Sequence, residues 1–133
     1  MRKLFSLAFI VVSLLRSGIG VCQNYWSDKA GGGAIDEALS VASDIAGNTY
    51  SVGYFTQTAQ FNNGIILNST GLSDVFVLKH DPMGNIVWAK KLGGAMNERA
   101  TSVACDGNGN VVITGHFNGT TQLGNNVFTS SGQ

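Results

Sequence analysis

The feature that most constrains this chain is an internal repeat. Sliding the sequence along itself until Trp26 meets Trp88 also superposes Lys29 on Lys91, Gly31-Gly32 on Gly93-Gly94 and Ala38 on Ala100. The match runs on without a gap. Ser40-Val41-Ala42 falls on Ser102-Val103-Ala104, Asp44 on Asp106, Gly47-Asn48 on Gly109-Asn110, Gly53 on Gly115 and Phe55 on Phe117. Thr58, Gln60 and Asn63 then meet Thr120, Gln122 and Asn125, after which one residue is lost between "FNNGIILNSTG" and "LGNNVFTSSG". The period, 88 − 26 = 62, is of the length that marks repeat architectures, in which one unit cannot bury its apolar face alone and stacks on a like neighbour.

Each period reads as four strands. "ATSVACD" leads through a turn into "VVITGHF"; a polar connection rich in Gly and Asn follows, and then "DVFVLKHD" turns into "IVWAKKL". These runs are rich in Val, Ile, Thr, Phe and Trp, which suit a pleated surface. "DVFVLK" and "VVIT" are apolar at successive positions, so both of their faces are expected to be buried. The second copy stops at Gln133, where two further strands are expected to begin.

The turns share one frame, Asp-x-x-Gly-Asn, in "DIAGN" (Asp44 to Asn48), "DPMGN" (Asp81 to Asn85) and "DGNGN" (Asp106 to Asn110). Asp at the first position of a type I turn accepts hydrogen bonds from amides just ahead, Pro suits the second and Gly the fourth. Glycine also reaches positive φ without a Cβ penalty, so a bulged hairpin closes in register. Calcium is the rival reading, since Asp106, Asn108 and Asn110 alternate like the opening of an EF-hand loop. That loop needs Gly at its sixth position and Glu at its twelfth, where this chain has Val111 and Phe117. The sister turns carry Ala46 and Met83 in place of Asn108. A hairpin is therefore expected.

No constellation for catalysis, cofactor or metal is found. His80 and His116 have no repeated counterpart and are expected to be polar residues of strand ends. Asp36-Glu37 would point to opposite faces of a strand, and a solvated loop ahead of "ALSVAS" is expected to hold them. "GGG" at Gly31 to Gly33 and the pair Gly93-Gly94 lack the Gly-Lys-Ser/Thr of a phosphate loop and read as flexible connections between blades. Trp26 and Trp88, in repeat register, are expected to pack between blades instead of stacking on sugars. Ser51, opposite Ile113 in the register, predicts looser packing in the first copy.

The N-terminal segment, 1–22, reads as a secretory signal peptide: Arg2-Lys3, an apolar run from Leu4 to Leu15, then small residues around Gly18 and Gly20. The run is shorter than the roughly 20 apolar residues of a membrane span. Cleavage after Cys22 would leave Gln23 as the mature start. Val21 argues against acylation of Cys22. The remainder, 23–133, carries five positive against eight negative charges, which excludes the basic footprint of a nucleic-acid binder. Cys105 would be its only cysteine, so no internal disulfide is possible, and a small apolar residue on a strand is the expected role.

The succession "DVFVLKHDPMGNIVWAKKLGG...ERATSVACDGNGNVVITGHFNGTTQLG" resembles the SBBP-type β-propeller repeat of secreted bacterial proteins, notably those of the Bacteroidota, over Asn24 to Gln133. The resemblance implies an all-β fold of antiparallel four-stranded propeller blades, with no catalytic residues. The segment 23–133 spans fewer than two periods, whereas a closed propeller takes roughly 4 to 8 blades. The expectation is therefore an incomplete propeller of about 1.5–2 blades preceded by a signal-peptide helix, a fragment of a larger exported protein. Its function would be that of a secreted or cell-surface scaffold, partnered by further blades, by self-association through exposed blade faces, or by a protein or glycan ligand. The alternative is a glycan-binding or glycan-processing propeller whose active groups lie in other blades.

Overall fold

The structure, a computed structural model, describes residues 8–13 and 25–131, and its strands all pair antiparallel. The first copy holds the strands β3 (Asp36–Ser43), β4 (Thr49–Phe55), β7 (Asp74–His80) and β8 (Ile86–Gly94). They pair in chain order as a meander, each antiparallel to the last. This is the arrangement of a four-stranded propeller blade. The second copy contributes β9 (Glu98–Cys105) and β10 (Val111–Phe117), which pair with each other as β3 pairs with β4.

The polar connections, expected as loops, carry hairpins of their own. β5 (Thr58–Gln60) pairs with β6 (Ile66–Asn68) around a single 3-10 turn at Asn62–Gly64, and β11 (Thr120–Leu123) pairs with β12 (Asn126–Thr129). The second hairpin docks on β8, with Thr121 opposite Gly94 and Gln122 opposite Gly93, so six strands run as β12-β11-β8-β7-β4-β3. The bridge from Gly31 to Gln60 is the same contact one repeat earlier.

That docking corrects the reading of the paired glycines as flexible. Gly93 and Gly94 lie within β8, and a Cβ on Gly94 would stand 2.2 Å from the Thr120 carbonyl oxygen. A Cβ on Gly32 would stand 1.9 Å from that of Thr58. Both positions need glycine because another backbone passes there.

β2 (Tyr25–Ala30), the repeat equivalent of β8, is paired with β1 (Ala8–Ser13). Residues 8–13 are thus a strand, not part of the expected signal-peptide helix. Ile10, Val11 and Val12 favour extended backbone, and β2 offers them an edge. The register is that of β7 on β8: Phe9 faces Lys29 as Phe76 faces Lys91, and Lys29 and Lys91 are repeat equivalents. The proposed cleavage point lies outside the described residues.

Two apolar layers hold the sheets together. On one face of the meander Phe55, Phe76 and Leu78 meet Ala30, Ala59 and Phe61. On the other, Tyr50, Val52, Val75 and Val77 meet Ala100 and Val103 of the second copy, with Trp88 and Leu92 at the margin. β7, covered on both sides, is buried almost throughout as expected, and β4 is buried along its whole length. β10 is not: Val111 and Ile113 are half-buried while Val112 is exposed, because among the described residues one of its faces has no neighbouring sheet.

Candidate functional site

The three Asp-x-x-Gly-Asn turns are one structure repeated. Asp106 Oδ1 accepts the N–H of Asn108 at 2.9 Å and of Asn110 at 2.8 Å, and Oδ2 accepts the Asn110 side-chain amide at 2.6 Å. Asp44 receives the same set from Ala46 and Asn48, and Asp81 from Met83 and Asn85. Gly47, Gly84 and Gly109 sit at φ of 84°, 87° and 80° and donate to the Asp carbonyls, which is the bulged hairpin expected. The carboxylate oxygens are thus aimed at amide donors of their own turn. The Asn85 and Asn110 amides lead the interactions that hold Asp81 and Asp106 below the ordinary carboxylate range. For Asp44, a desolvation effect that raises the pKa is outweighed by hydrogen bonds from Asn48 and Tyr50.

A second repeated device lies where one blade passes to the next. Asp36 and Glu98 are repeat equivalents, each at the start of a strand, and each accepts the N–H of the glycine four residues earlier: Gly32 at 2.6 Å and Gly94 at 3.0 Å. Asp36 is 4 % and Glu98 3 % exposed, so the solvated loop expected for Asp36 is instead a buried strand end. Only Glu37, on the opposite face, is exposed. Burial pushes both Asp36 and Glu98 above the ordinary range, and for Glu98 the neighbouring Asp74 carboxylate adds to the rise. Asp74 is itself wholly buried, accepts from Thr70 N and Oγ1, and pairs with Lys91 Nζ at 3.2 Å. This cluster ties strand ends together: each acid accepts an N–H from four residues earlier, while Asp36 Oδ1, Asp74 Oδ1 and Glu98 Oε1 accept none.

The histidines separate. His80, expected as a polar strand-end residue, closes β7 in complete burial beneath Trp26, with ring centroids 4.7 Å apart. His116 is exposed on β10. Trp26 also covers Gly84, whose Cβ would fall 2.5 Å from the indole. Trp88 packs with Tyr50 at 6.1 Å. Both tryptophans are therefore packing residues, although their partners differ, His80 for Trp26 and Tyr50 for Trp88. Cys105 ends β9 half-buried against the second apolar layer, and burial pushes its thiol pKa up, with Asp44 and Asp106 adding to the effect. Ser51, expected to loosen the first copy, is fully buried in β4 with its Oγ lacking a hydrogen-bond partner.

One concavity stands out. A cavity of about 430 Å³ opens between the sheets of the two copies, lined by Leu92, Ala100, Phe117, Thr121 and Leu123 among others. It borders β10, which among the described residues is paired on one edge only. Arg99, on its rim, lays its guanidinium over the Tyr54 ring at 4.1 Å and so bridges the copies by a cation–π contact. Neither the cavity nor the buried acids were legible as single motifs. The repeat register could have exposed the first, since its walls are the equivalents of first-copy core residues.

No family model matches the chain. It is 29% identical over 80 residues to an uncharacterised WD repeat-containing protein of Acanthamoeba polyphaga mimivirus, a match that takes in 57% of this chain and 6% of the viral protein. The chain therefore spans a small part of that relative's length. Likeness to a WD repeat protein and a repeated antiparallel meander point to the same architecture, a β-propeller-type repeat.

Proposed function

We propose that this chain is a non-catalytic β-propeller segment that serves as a scaffold for protein–protein interaction, of the secreted SBBP type. One observation carries the reading. The acids that could do chemistry, Asp36, Asp44, Asp74, Asp81, Glu98 and Asp106, all accept the backbone N–H of a residue four positions away in the chain. Meanwhile apolar side chains of the second copy face outward, with Val112 and Val127 each 64% exposed. Surfaces of this kind are adapted to contact. The WD repeat relative supports the same role.

Capture with the immobilised full chain, compared with a Val112→Glu/Val127→Glu variant, tests it. A partner retained by the parent and lost by the variant is the expected result; equal retention by both refutes the reading. Export through the leader is part of the proposal. It predicts a mature product beginning at Gln23 in the extracytoplasmic fraction, and full-length protein confined to the cytoplasm would refute it.

A further inference from the structure

Two carboxyl oxygens at the junction of the copies, Asp74 Oδ1 and Glu98 Oε1, are buried with no donor. Orphans of this kind are rare in a folded interior, and each needs a physical reason. They belong to neighbouring strand starts. Glu98 N donates to Ser73 O at 2.9 Å, and both carboxyls lie over the paired glycines: a Cβ on Gly93 would collide with Asp74 Oδ1, while Gly94 N donates to Glu98 Oε2. Two carboxylates so close out of water do not both stay charged. Burial and the Asp74 charge raise the Glu98 pKa, so the shared proton rests on Glu98.

The other side of Asp74 faces an amine. Lys91 pairs with Phe76, which sets it diagonally across the β7–β8 ladder from Asp74, within reach of a long side chain. Its Nζ stands 3.2 Å from Asp74 Oδ2 and donates to Thr70 Oγ1 at 3.1 Å. Oδ2 also accepts the Thr70 N–H at 2.8 Å. An amine, a carboxyl group and a protonated acid are thus held together, and Asp74 is wholly buried.

We propose that Lys91 Nζ and Asp74 Cγ condense to an isopeptide bond joining β7 to β8, with Glu98 as proton relay. The Lys91 ammonium yields one proton to the Asp74 carboxylate, and the free amine attacks Cγ. The Thr70 N–H steadies the charge that develops on Oδ2. Glu98 gives its proton to the departing Oδ1 and takes one from the nitrogen, ending as it began. A C–N bond replaces the C–Oδ1 bond and one water leaves, so no further reactant is needed. Burial of Asp74 keeps bulk water from reversing the step. This is a single self-modification, and the segment stays non-catalytic toward other molecules.

Mass spectrometry of the purified, denatured full chain tests the bond. The expected product is lighter than its sequence by one water, and trypsin leaves peptide 30–79 joined to 91–99, uncut after Lys91. Lys91→Arg keeps the charge without an amine that condenses, and should show its unmodified mass. Glu98→Gln retains an acceptor for Gly94 N, so the fold should survive while bond formation slows by roughly a hundredfold or more. A merely structural Glu98 would leave that rate unchanged. An unmodified parent chain after prolonged incubation in the folded state overturns the proposal. So does equal bond formation in Glu98→Gln, or a water loss that maps to Asp106-Gly107 alone.

Discussion

Replacing Gly53 by alanine probes the repeated bulge most sharply. The backbone at Gly53 is not in the left-handed region, so conformation alone does not exclude a side chain; space does. The β3–β4 register skips Leu39, and the β9–β10 register skips Thr101, its repeat equivalent. Beside each bulge, on the same strand, a carbonyl comes forward toward the glycine opposite. A Cβ at Gly53 would lie 1.8 Å from Glu37 O, and one at Gly115 2.1 Å from Arg99 O, where ordinary contact begins at 3.4 Å. β4 is held on both edges by β3 and β7, so opening the gap disrupts its ladder. Overpacking costs about 1–3 kcal/mol, and each lost ladder bond adds about 1 kcal/mol. Gly53→Ala is therefore expected to cost about 3 kcal/mol or more. β10 can yield outward at its open edge, so Gly115→Ala should cost about 1–2 kcal/mol. Gly33, with nothing within 4 Å and no positive φ, is the control; alanine there should change stability by less than about 1 kcal/mol. Urea unfolding at equilibrium ranks the three. Gly53→Ala no more costly than Gly33→Ala would refute the steric argument.

Phe76→Ala empties the centre of the first apolar layer and should cost about 3–5 kcal/mol by the same assay. Glu98→Gln keeps the acceptor for Gly94 N and offers an amide to Asp74 Oδ1, which otherwise lacks a donor. Because the folded state raises the Glu98 pKa, its ionisation destabilises the fold as pH rises through that value. The gain from Glu98→Gln should thus be small near pH 4 and reach about 1 kcal/mol by pH 7; a gain that shrinks with rising pH would reverse the sign. Asp81 and Asp106 titrate the other way. Their carboxyl resonances should show midpoints below the ordinary 3.8, with turn stability present above that value and lost as pH falls through the lowered one. Asn at both positions should remove that acid dependence.

The meander and its turns were legible because their causes are local. An Asp oxygen reaching amides two and four residues ahead is written in the spacing of Asp, Gly and Asn. The hairpins β5–β6 and β11–β12 were not, since strands of three or four mixed residues carry no periodicity to read. Asp36 shows another limit. Its burial depends on docking to Gly32, and a neighbouring pair of acids looks the same in a solvated loop. Gly53 and Gly115 were visible as a repeated match, yet their reason, a carbonyl pushed forward by a bulge on the paired strand, exists only once pairing is known. The strand at residues 8–13 shares its apolar, β-branched composition with a leader helix, so composition alone does not choose between them.

The claim beneath all of this is that like units stack face to face, so side chains from different copies, far apart along the chain, should touch. Nuclear Overhauser contacts between the methyls of Val52 or Val77 and those of Ala100 or Val103 measure it directly. The account predicts those cross-peaks alongside the within-layer contact of Phe61 with Phe76, whose rings lie 5.8 Å apart. The Phe61–Phe76 contact without any between the copies would contradict it.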